Sequence, residues 1–414
     1  MARISAPGRF RVKMGLERTQ ALLAELGHPE AGLGGALVTG TNGKGSTCAF
    51  LASILAAAGL RTGTMPSPHL ASYTERVQIN GAPISEGDFA AALDAVTPAL
   101  EEVGARLGEP TEFEILTALA LSWLSPRVDR LVIEVGMGGR LDTTNVLDLG
   151  VAVVTNVALD HIQHLGATVE EIAREKAAIV KPGNLCLTAA EGSALEVVGA
   201  RCREVGADPW RLGRELEVEW RWLGWNGSEL DIAGRGFEHR GLKIPLLGSF
   251  QPANAALAVA AAHALGDATP DTVRTGVAAT RWPGRLEVVA ESPRVLVDGG
   301  HNPAGLRRLV ADVNRLLEGG EPPGVVFGAM ADKDLPGLLG ELRRLRPATV
   351  LFTRAASAGE RAADPADLAV HWGAGARAVE PAATALEQAR AGAGSGGTVL
   401  VCGSLYLVGE LRPG

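Results

Sequence analysis

The feature that most constrains this chain is a glycine-rich loop between an apolar strand and a helix. Gly35–Thr39 reads GALVT, typical of a buried strand, and Ser46–Ala58 reads as an alanine-rich helix that Gly59 ends. Between them the chain reads TGTNGKGST, residues 39–47. Glycines let backbone N–H groups close around phosphate oxygens, and the helix N-terminus adds its positive end. We therefore expect this loop to bind a nucleotide phosphate.

Individual residues of the loop suit that role. Lys44 supplies a positive charge to the β- and γ-phosphates, and the hydroxyl of Ser46 or Thr47 can face Mg²⁺. The spacing departs from the common G-x-x-x-x-G-K-[ST] form, because Gly45 separates Lys44 from Ser46. The alternative is a glycine-rich turn without a ligand. The predicted nucleotide contacts of the loop are Thr41, Asn42, Gly43, Lys44, Gly45, Ser46 and Thr47.

The rest of the chain predicts an α/β protein of two domains. The apolar runs Arg130–Val135 and Val151–Thr155, set between helical patterns, are typical of parallel strands covered on both faces. Residues 215–247 alternate apolar and polar positions, which predicts a small antiparallel patch. After Trp282-Pro283-Gly284-Arg285 a second alternation of strands and helices begins. We place a larger domain at 1–284 and a smaller, Rossmann-like α/β domain at 285–414.

Composition excludes several classes of function. A net charge of −8 and a pI near 5.6 argue against a nucleic-acid partner. No apolar run has the length of a membrane span, and the N-terminal sequence has no apolar signal-peptide core. Four isolated cysteines fit reduced thiols of a cytosolic protein. We expect a cytoplasmic protein, no membrane partner, and a monomer by default.

Two polar residues at predicted strand ends are candidates for a metal site. Glu134 ends the run LVIE, where an open α/β sheet places its ligands and where a buried carboxylate needs a cation. A salt bridge to Arg140 would satisfy it equally. His161 follows the strand VAVVT and could join Glu134 from a neighbouring strand around a divalent cation. A lone histidine is commonly a satisfied polar residue, and Lys176, on the helix Thr168–Ile179, would ordinarily be solvated.

The loop TGTNGKGS resembles that of the Mur ligase superfamily and, within it, of the folylpolyglutamate synthases. Further segments resemble elements of these synthases in the same order along essentially the whole chain. They are SPHL (67–70) with YTER (73–76), EVGMGGRLDTTN (134–145), AREKAAI (173–179), LGSFQPAN (247–254), WPGRLE (282–287), DGGHNP (298–303), DKD (332–334) and GSLY (403–406).

The resemblance implies roles that the residues alone do not. Two Mg²⁺ ions would be held by Ser46, Ser67, Glu134, His161 and a carbamylated Lys176. ATP would also be contacted by Asn254, Arg285, Asp298 and His301. Residues 14–18 with Thr111, Phe113 and Asp142 resemble the segments at the pterin, while Ser404 would lie on the glutamate side. Thr143 departs from the family pattern, which often has Ala there.

The resemblance also implies a reaction. The carboxylate of a folate or of dihydropteroate would attack the γ-phosphate of ATP, and L-glutamate would then displace phosphate from the acyl phosphate. Lys44, Glu134, His161 and Lys176 would serve the catalytic centre, with the second domain closing over ATP and contributing to glutamate binding. The alternatives are a P-loop ATPase or nucleotide switch that forms no amide, and a Mur-type cell-wall ligase, for whose extra N-terminal domain this chain has no room.

Overall fold

A computed structural model describes residues 15–412, and within them the chain forms two compact units. The first contains the chain up to Arg221, with Glu229–Ile244 and Pro252–Thr280. The second begins at Arg281 and takes in two earlier segments, Trp222–Ser228 and Pro245–Gln251. The sequence had assigned those two segments to the first domain.

The first unit is a mixed α/β body, as the sequence predicts. Its strands are β1 (Gly35–Thr39), β2 (Thr62–Met65), β3 (Gln78–Ile79), β4 (Ala82–Pro83), β5 (Arg130–Glu134), β6 (Gly150–Val154), β7 (Leu185–Thr188), β8 (Asp208–Arg211), β9 (Glu217–Trp222), β10 (Ser228–Gly234) and β11 (Phe237–Ile244). Its helices are α1 (Glu17–Glu25), α2 (Lys44–Ala57), α3 (Glu86–Leu107), α4 (Glu112–Leu124), α5 (Ile162–Leu165), α6 (Val169–Ala177), α7 (Gly192–Val205), α8 (Gln251–Ala264) and α9 (Pro270–Ala279).

An eight-stranded sheet places the carboxyl ends of the central strands side by side. The strand order is β4-β3-β2-β5-β1-β6-β7-β8. The six strands from β2 to β8 are parallel, whereas β3 and β4 add an antiparallel edge that the sequence did not predict. All five residues of β1 are buried, as expected of a central strand covered by helices on both faces. The residues that follow β1, β5 and β6 therefore meet at one edge of the sheet.

The residues from 217 to 244 form the separate small sheet that the alternating pattern predicts, in the order β11-β10-β9. Only two residues connect β10 to β11, a length that permits an antiparallel pair and excludes a parallel one. Its buried face carries Leu230, Ile232, Leu242 and Ile244. The apolar residues therefore fix which face of this sheet packs inward.

Side-chain caps explain where the helices of the first unit begin. Ser85 accepts a hydrogen bond from the Asp88 backbone N–H at the start of α3. Thr111 and Thr168 form reciprocal capping boxes at the starts of α4 and α6. Helix α2 begins at Lys44, two residues earlier than the sequence indicated. Lys44, the charged residue of the loop 39–47, is thus also the first residue of helix α2.

The second unit is built on a six-stranded sheet. Its strands are β12 (Glu287–Glu291), β13 (Arg294–Asp298), β14 (Gly324–Phe327), β15 (Thr349–Phe352), β16 (Ala376–Ala378) and β17 (Thr398–Cys402), in the order β12-β13-β17-β14-β15-β16. Its helices are α10 (Pro303–Leu316), α11 (Leu335–Arg343), α12 (Pro365–Trp372), α13 (Ala382–Ala393) and α14 (Leu405–Leu411). All neighbours are parallel except β12 with β13. This is the predicted smaller α/β domain.

Two further findings concern the whole described chain. Among residues 15–412, none of the helices is both long enough and apolar enough to cross a membrane. Cys48, Cys186, Cys202 and Cys402 are all buried and free of disulfide bonds.

Helix α2, which begins in the phosphate loop, packs very closely against α9. A Cβ atom built on Gly276 of α9 would lie 2.4 Å from the Ile54 Cα and 2.8 Å from the Ser53 carbonyl oxygen. The Ser53 hydroxyl donates to the Gly276 carbonyl oxygen at 2.7 Å. Only glycine allows the two backbones to approach this closely, so α9 fixes the position of α2 and of the loop before it.

We expect Gly276→Ala to destabilise the protein by about 1–3 kcal/mol or more, because its methyl group would meet backbone atoms that cannot move aside. Urea unfolding of the intact chain measures this loss. Gly199→Ala, on α7 of the same unit, is the matched control, since its Cβ would meet only the mobile end of Arg203 at 3.5 Å. That control should gain about 0.5–1 kcal/mol from helix propensity. Equal effects of the two substitutions would contradict the close-packing argument.

Candidate active site

The phosphate loop is held in shape by the segment that follows β6. The Thr155 hydroxyl and the Asn156 side-chain amide both donate to the Asn42 carbonyl oxygen at 2.7 Å. The Asn156 side-chain oxygen accepts from the Asn42 backbone N–H at 3.0 Å. Thr41 exchanges two hydrogen bonds with the backbone of Ala158, at 3.0 and 3.1 Å. The loop is therefore fixed by the protein itself, which leaves its geometry preorganised for a ligand.

Two of the loop glycines cannot carry a side chain. Gly40 has φ +152°, and a Cβ there would lie 1.8 Å from the Thr155 hydroxyl oxygen. Gly43 has φ +87°, and a Cβ there would lie 2.4 Å from the Asn254 side-chain oxygen. Asn254, a predicted ATP contact from α8, is buried directly against the loop. The structure thus brings Asn254 and the phosphate loop together.

Two lysines converge on one carbonyl group of the loop. The Lys44 Nζ donates to the Gly40 carbonyl oxygen at 3.1 Å, and the Lys176 Nζ donates to the same oxygen at 3.0 Å. Lys176 is almost fully buried, at 3% exposure. Burial, reinforced by the Lys44 charge, lowers the pKa of Lys176 to about 7, while Asp160 and Asp142 oppose the shift. The lysine that sequence alone would leave solvated is an interior group of the site.

Glu134 lies at the carboxyl end of β5, buried and close to the loop. Its carboxylate accepts a hydrogen bond from the Ser67 backbone N–H at 3.1 Å. Burial raises the pKa of the Cys48 thiol, Glu134 raises it further and Lys44 opposes both. The Glu134 carboxylate and the Lys44 ammonium group therefore act on the same buried atom. The alternative salt bridge is not formed, since Arg140 pairs with Glu175 at 2.9 Å.

The Ser67 side chain is positioned by an arginine that the sequence did not single out. The buried Arg76 donates to the Ser67 hydroxyl oxygen at 2.9 Å and to the His69 Nδ1 at 3.0 Å. Burial, with the Arg76 charge, lowers the pKa of His69 to about 4. A neutral His69 can accept the Arg76 hydrogen bond. The motif SPHL…YTER is therefore one hydrogen-bonded unit.

The position of His161 corrects one sequence prediction. His161 was expected to face Glu134 from a neighbouring strand, but β1 lies between β5 and β6. Two steps of strand spacing amount to about 10 Å. The His161 Nε2 lies 3.9 Å from the Asp160 carboxylate, and His161 adopts a left-handed backbone conformation. The strand order therefore corrects the expectation that β5 and β6 are neighbours, while the metal role of His161 stays a prediction. Sequence reasoning cannot see strand order, which is why β5 and β6 were taken as neighbours.

The loop 136–142 links Glu134 to the predicted acceptor pocket. Asp142 is buried and accepts from the Met137 N–H at 2.9 Å and from the Thr144 N–H and hydroxyl at 3.0 and 2.5 Å. Burial raises the pKa of the Asp142 carboxyl against these hydrogen bonds. A Cβ on Gly136 would lie 2.8 Å from the Phe113 ring. The Asp142 carboxylate would lie 3.2 Å from the same Cβ position, so Phe113 and Asp142 both approach Gly136 on the side where a side chain would project.

The start of α4 is fixed next to this loop by polar contacts. Thr111 caps the helix, and the buried Glu114 accepts from the Thr111 N–H at 2.7 Å and from Arg18 at 2.9–3.0 Å. Thr143, where the family often has Ala, hydrogen-bonds to Thr117 at 2.6 Å. Of the predicted acceptor-side segment 14–18, Met14 lies outside the described residues.

The remaining predicted residues belong to the second unit and are organised locally. The buried Asp298 accepts from the Gly300 and Leu286 N–H groups at 2.7 and 2.8 Å. Burial raises the pKa of Asp298 and Arg285 opposes the rise. His301 lies 2.9 Å from the Gly299 carbonyl oxygen through its Nδ1. Ser404 caps α14, accepting from the Tyr406 N–H at 3.2 Å.

The structure adds several residues that the sequence analysis passed over. Thr155 and Asn156 shape the loop, Arg76 orients Ser67, and Asp160 influences Lys176. The position of Thr155-Asn156 directly after β6 was an available signal. Arg76 belongs to the matched segment YTER, but that match did not indicate its role, which arises only when the chain folds back over Ser67.

Comparison with known proteins extends these findings. Residues 38–262 match the model of the Mur ligase middle domain, and residues 284–405 match that of the Mur ligase glutamate ligase domain. The dihydrofolate synthase/folylpolyglutamate synthase of Bacillus subtilis is 34% identical, over 98% of this chain and 95% of its own length. The Escherichia coli protein of the same name is 36% identical, over 97% of this chain and 91% of its own length.

Solved structures agree in fold. Mycobacterium tuberculosis folylpolyglutamate synthase complexed with ADP superposes with a TM-score of 0.91 at 32% identity, covering 97% of this chain and 94% of that one. Escherichia coli FolC in complex with DHPP and ADP gives a TM-score of 0.89 at 33% identity, covering 99% and 94%.

The burial of Lys176 predicts a pH-dependent contribution to stability. The pKa of Lys176 is about 7 when folded and about 10.4 in an unfolded chain, so the unfolded state binds more protons between these values. Burial of the charged lysine therefore destabilises the fold fully below about pH 7, and this destabilisation decreases as the pH rises. We expect the free energy of unfolding of the wild type to increase relative to that of Lys176→Met as the pH rises from about 6.5 to about 9. Thermal unfolding in CO₂-free buffer measures it, and a difference that stays constant with pH would contradict the buried position.

Proposed function

The chain belongs to the Mur ligase family and, within it, to the dihydrofolate synthase/folylpolyglutamate synthases, and on this premise we propose how its residues perform the ligation. The chain is an ADP-forming ligase that adds L-glutamate to folates, including dihydropteroate as acceptor. The observation that carries the residue-level proposal is the convergence of Lys44 and Lys176 on the Gly40 carbonyl, next to the buried Glu134.

A carboxylate is a poor electrophile and must be activated before an amine can attack it. In the first step an oxygen of the acceptor carboxylate bonds to the γ-phosphorus of ATP, and the bond to ADP breaks. In the second step the glutamate amine bonds to the acyl carbon, loses a proton, and phosphate leaves. The first step brings two anions together, so positive charge at the phosphate matters most. Lys44, at the first turn of α2, supplies it together with the helix N-terminus.

The residues beside the loop fit bound Mg²⁺. This ion prefers oxygen ligands, takes one or two carboxylates from the protein, and completes its shell with phosphate oxygens and water. Within residues 15–412 no three His, Cys, Asp or Glu side chains are grouped as a metal cage. The oxygen donors available beside the loop are the Glu134 carboxylate and the hydroxyls of Ser46 and Ser67. When bound, Mg²⁺ neutralises charge that develops on the phosphates. We propose Ser46, Ser67 and Glu134 for one ion, and His161 with a modified Lys176 for a second.

Lys176 is suited to carbamylation because it is buried and its amine is neutral in large part near pH 7. The neutral nitrogen attacks the carbon of CO₂, an N–C bond forms and one proton is released. The product is an anion, which converts a buried cation beside Lys44 into a metal-binding oxygen group. This removes the like-charge repulsion between the two lysines.

We propose the surface around Phe113, Thr111 and Asp142 for the pterin end of the acceptor. Phe113 offers an aromatic face, and the buried hydrogen bonds of Asp142 keep Gly136 and Met137 in place beside it. In the second unit we propose Arg285, Asp298 and His301 for ATP and Ser404 for L-glutamate.

The direct test is ADP release by the purified protein with ATP, Mg²⁺, L-glutamate and either 7,8-dihydropteroate or a tetrahydrofolate. We expect release with both acceptors, dependent on glutamate each time, because the acyl phosphate is consumed only by the amine. Lys44→Ala is the blank, and we expect its rate to fall by a factor of about 100 or more.

The outcomes separate the remaining alternatives. Release with tetrahydrofolate alone would restrict the chain to polyglutamate synthesis. ADP release that does not respond to either acceptor or to glutamate would favour a nucleotide switch and would refute the ligase mechanism.

The proposed carbamate has its own measurement. With ¹³C-labelled bicarbonate, we expect a carbamate carbon signal in the NMR spectrum of the wild-type protein and its loss in Lys176→Arg. Lys181→Arg is the matched control, since Lys181 is also partly buried and has a lowered pKa but donates to the Asn145 and Leu147 carbonyls away from the loop. A signal that survives Lys176→Arg would refute the assignment.

A further inference from the structure

Two large apolar side chains are exposed at the edge of the active site. Leu159 is 50% exposed and Ile162 is 56% exposed, and they flank Asp160 and His161. Elsewhere in residues 15–412 the exposed large apolar side chains are scattered singly, at Leu107, Trp220 and Val370. Two exposed large apolar side chains within four residues of each other, beside charged groups, are more typical of a binding surface than single exposed residues are.

The backbone holds this pair in place on both sides. Before it, Ala158 is hydrogen-bonded to Thr41 of the phosphate loop. Within it, His161 has φ +49°, an uncommon conformation for a residue other than glycine, and its N–H donates to the Asp160 carboxylate at 2.9 Å. A left-handed residue at this point turns the chain sharply between Leu159 and Ile162. The apolar pair is thus presented by a fixed turn and not by a loose loop.

The turn is also tied to the loop that carries the acceptor-side residues. Leu165, one turn beyond Ile162 on α5, is buried, and a Cβ on Gly138 would lie 2.7 Å from its side chain. The same loop contacts Phe113 at Gly136. The segment 159–162 therefore borders both the phosphate loop, through Ala158, and the loop 136–142, through Leu165.

The chemistry of the three substrates selects the occupant. L-glutamate has no apolar surface large enough for two aliphatic side chains. The adenine of ATP lies at the far end of the triphosphate from the γ-phosphate, whereas His161 and Lys176 are proposed to act on the phosphate end. The acceptor must bring its carboxylate to the γ-phosphate. That carboxylate is borne directly by an aromatic ring in dihydropteroate, and by a glutamyl residue attached to that ring in a tetrahydrofolate, so in both acceptors an aromatic ring follows the reacting end. Aliphatic side chains pack well on such rings.

We propose that Leu159 and Ile162 form an apolar platform that binds the aromatic part of the folate acceptor and contributes to acceptor affinity. This inference rests on the proposed function, because it takes its ligand from the ligase reaction. It assigns the two residues to acceptor binding, separately from the metal role proposed for His161 between them.

The experiment measures equilibrium binding of 7,8-dihydropteroate and of a tetrahydrofolate to the ADP-loaded protein, together with ADP affinity. The variants are Leu159→Gln, Ile162→Gln and the double substitution. We expect acceptor affinity to fall about fivefold for each single change and about twentyfold or more for the double change. ADP affinity should stay within about twofold of wild type.

Two controls separate the platform from general effects of surface substitution. Leu107→Gln changes another exposed leucine of the same unit, at the end of α3, and should leave acceptor affinity unchanged. Ile162→Leu keeps an apolar side chain of similar size and should retain nearly full affinity. All three positions are exposed, so folding is checked simply by the unfolding midpoint.

Each outcome of the binding experiment either supports the apolar platform or overturns it. Unchanged acceptor affinity in the double variant would overturn the platform. Parallel losses of acceptor and ADP affinity would also overturn it, by showing that the segment acts through the phosphate loop. A lower kcat with unchanged acceptor affinity and KM would place the contact elsewhere in the cycle and refute the proposal. If wild type itself binds neither acceptor, the proposed function fails, and this inference fails with it.

Discussion

The site depends on the placement of one carbonyl oxygen. Gly40 directs its carbonyl at two lysines, Lys44 from the following helix and Lys176 from α6. A carbonyl can accept both hydrogen bonds because its oxygen has two lone pairs. The position of that oxygen is in turn set by Gly40 itself, where a Cβ would collide with Thr155. Three separate segments of the chain are thus held at one point.

Placing two amines at this point is electrostatically unfavourable, and the neighbouring carboxylates compensate for it only in part. Two amines within hydrogen-bonding distance of one oxygen repel each other when both are charged, and burial disfavours the charged form of Lys176 further. Asp160 and Asp142 counter this effect, and Glu134 lies near Lys44. The carbamylation proposed for Lys176 would remove this repulsion and leave Lys44 as the cation beside the loop.

The glycines after β5 fix the loop that is proposed to bind the acceptor. Gly139 packs so tightly on α6 that a Cβ would lie 2.6 Å from the Glu175 carbonyl oxygen, and the Arg140 N–H donates to that same oxygen at 2.8 Å. The helix that carries Lys176 and the loop that carries Asp142 therefore move as one body. This coupling explains how residues far apart in sequence keep a fixed geometry relative to one another.

The sequence by itself determined the α/β class, the phosphate loop and the family, because each depends on residues close together in the chain. Local spacing could not reveal that β1 separates β5 from β6, that Lys176 is buried, or that Arg76 orients Ser67. Those facts depend on which strands pair and on which side chains lose water, and both are settled by long-range packing. The sequence could therefore name candidate residues for the site, whereas their burial, charge states and contacts were decided only by the tertiary structure.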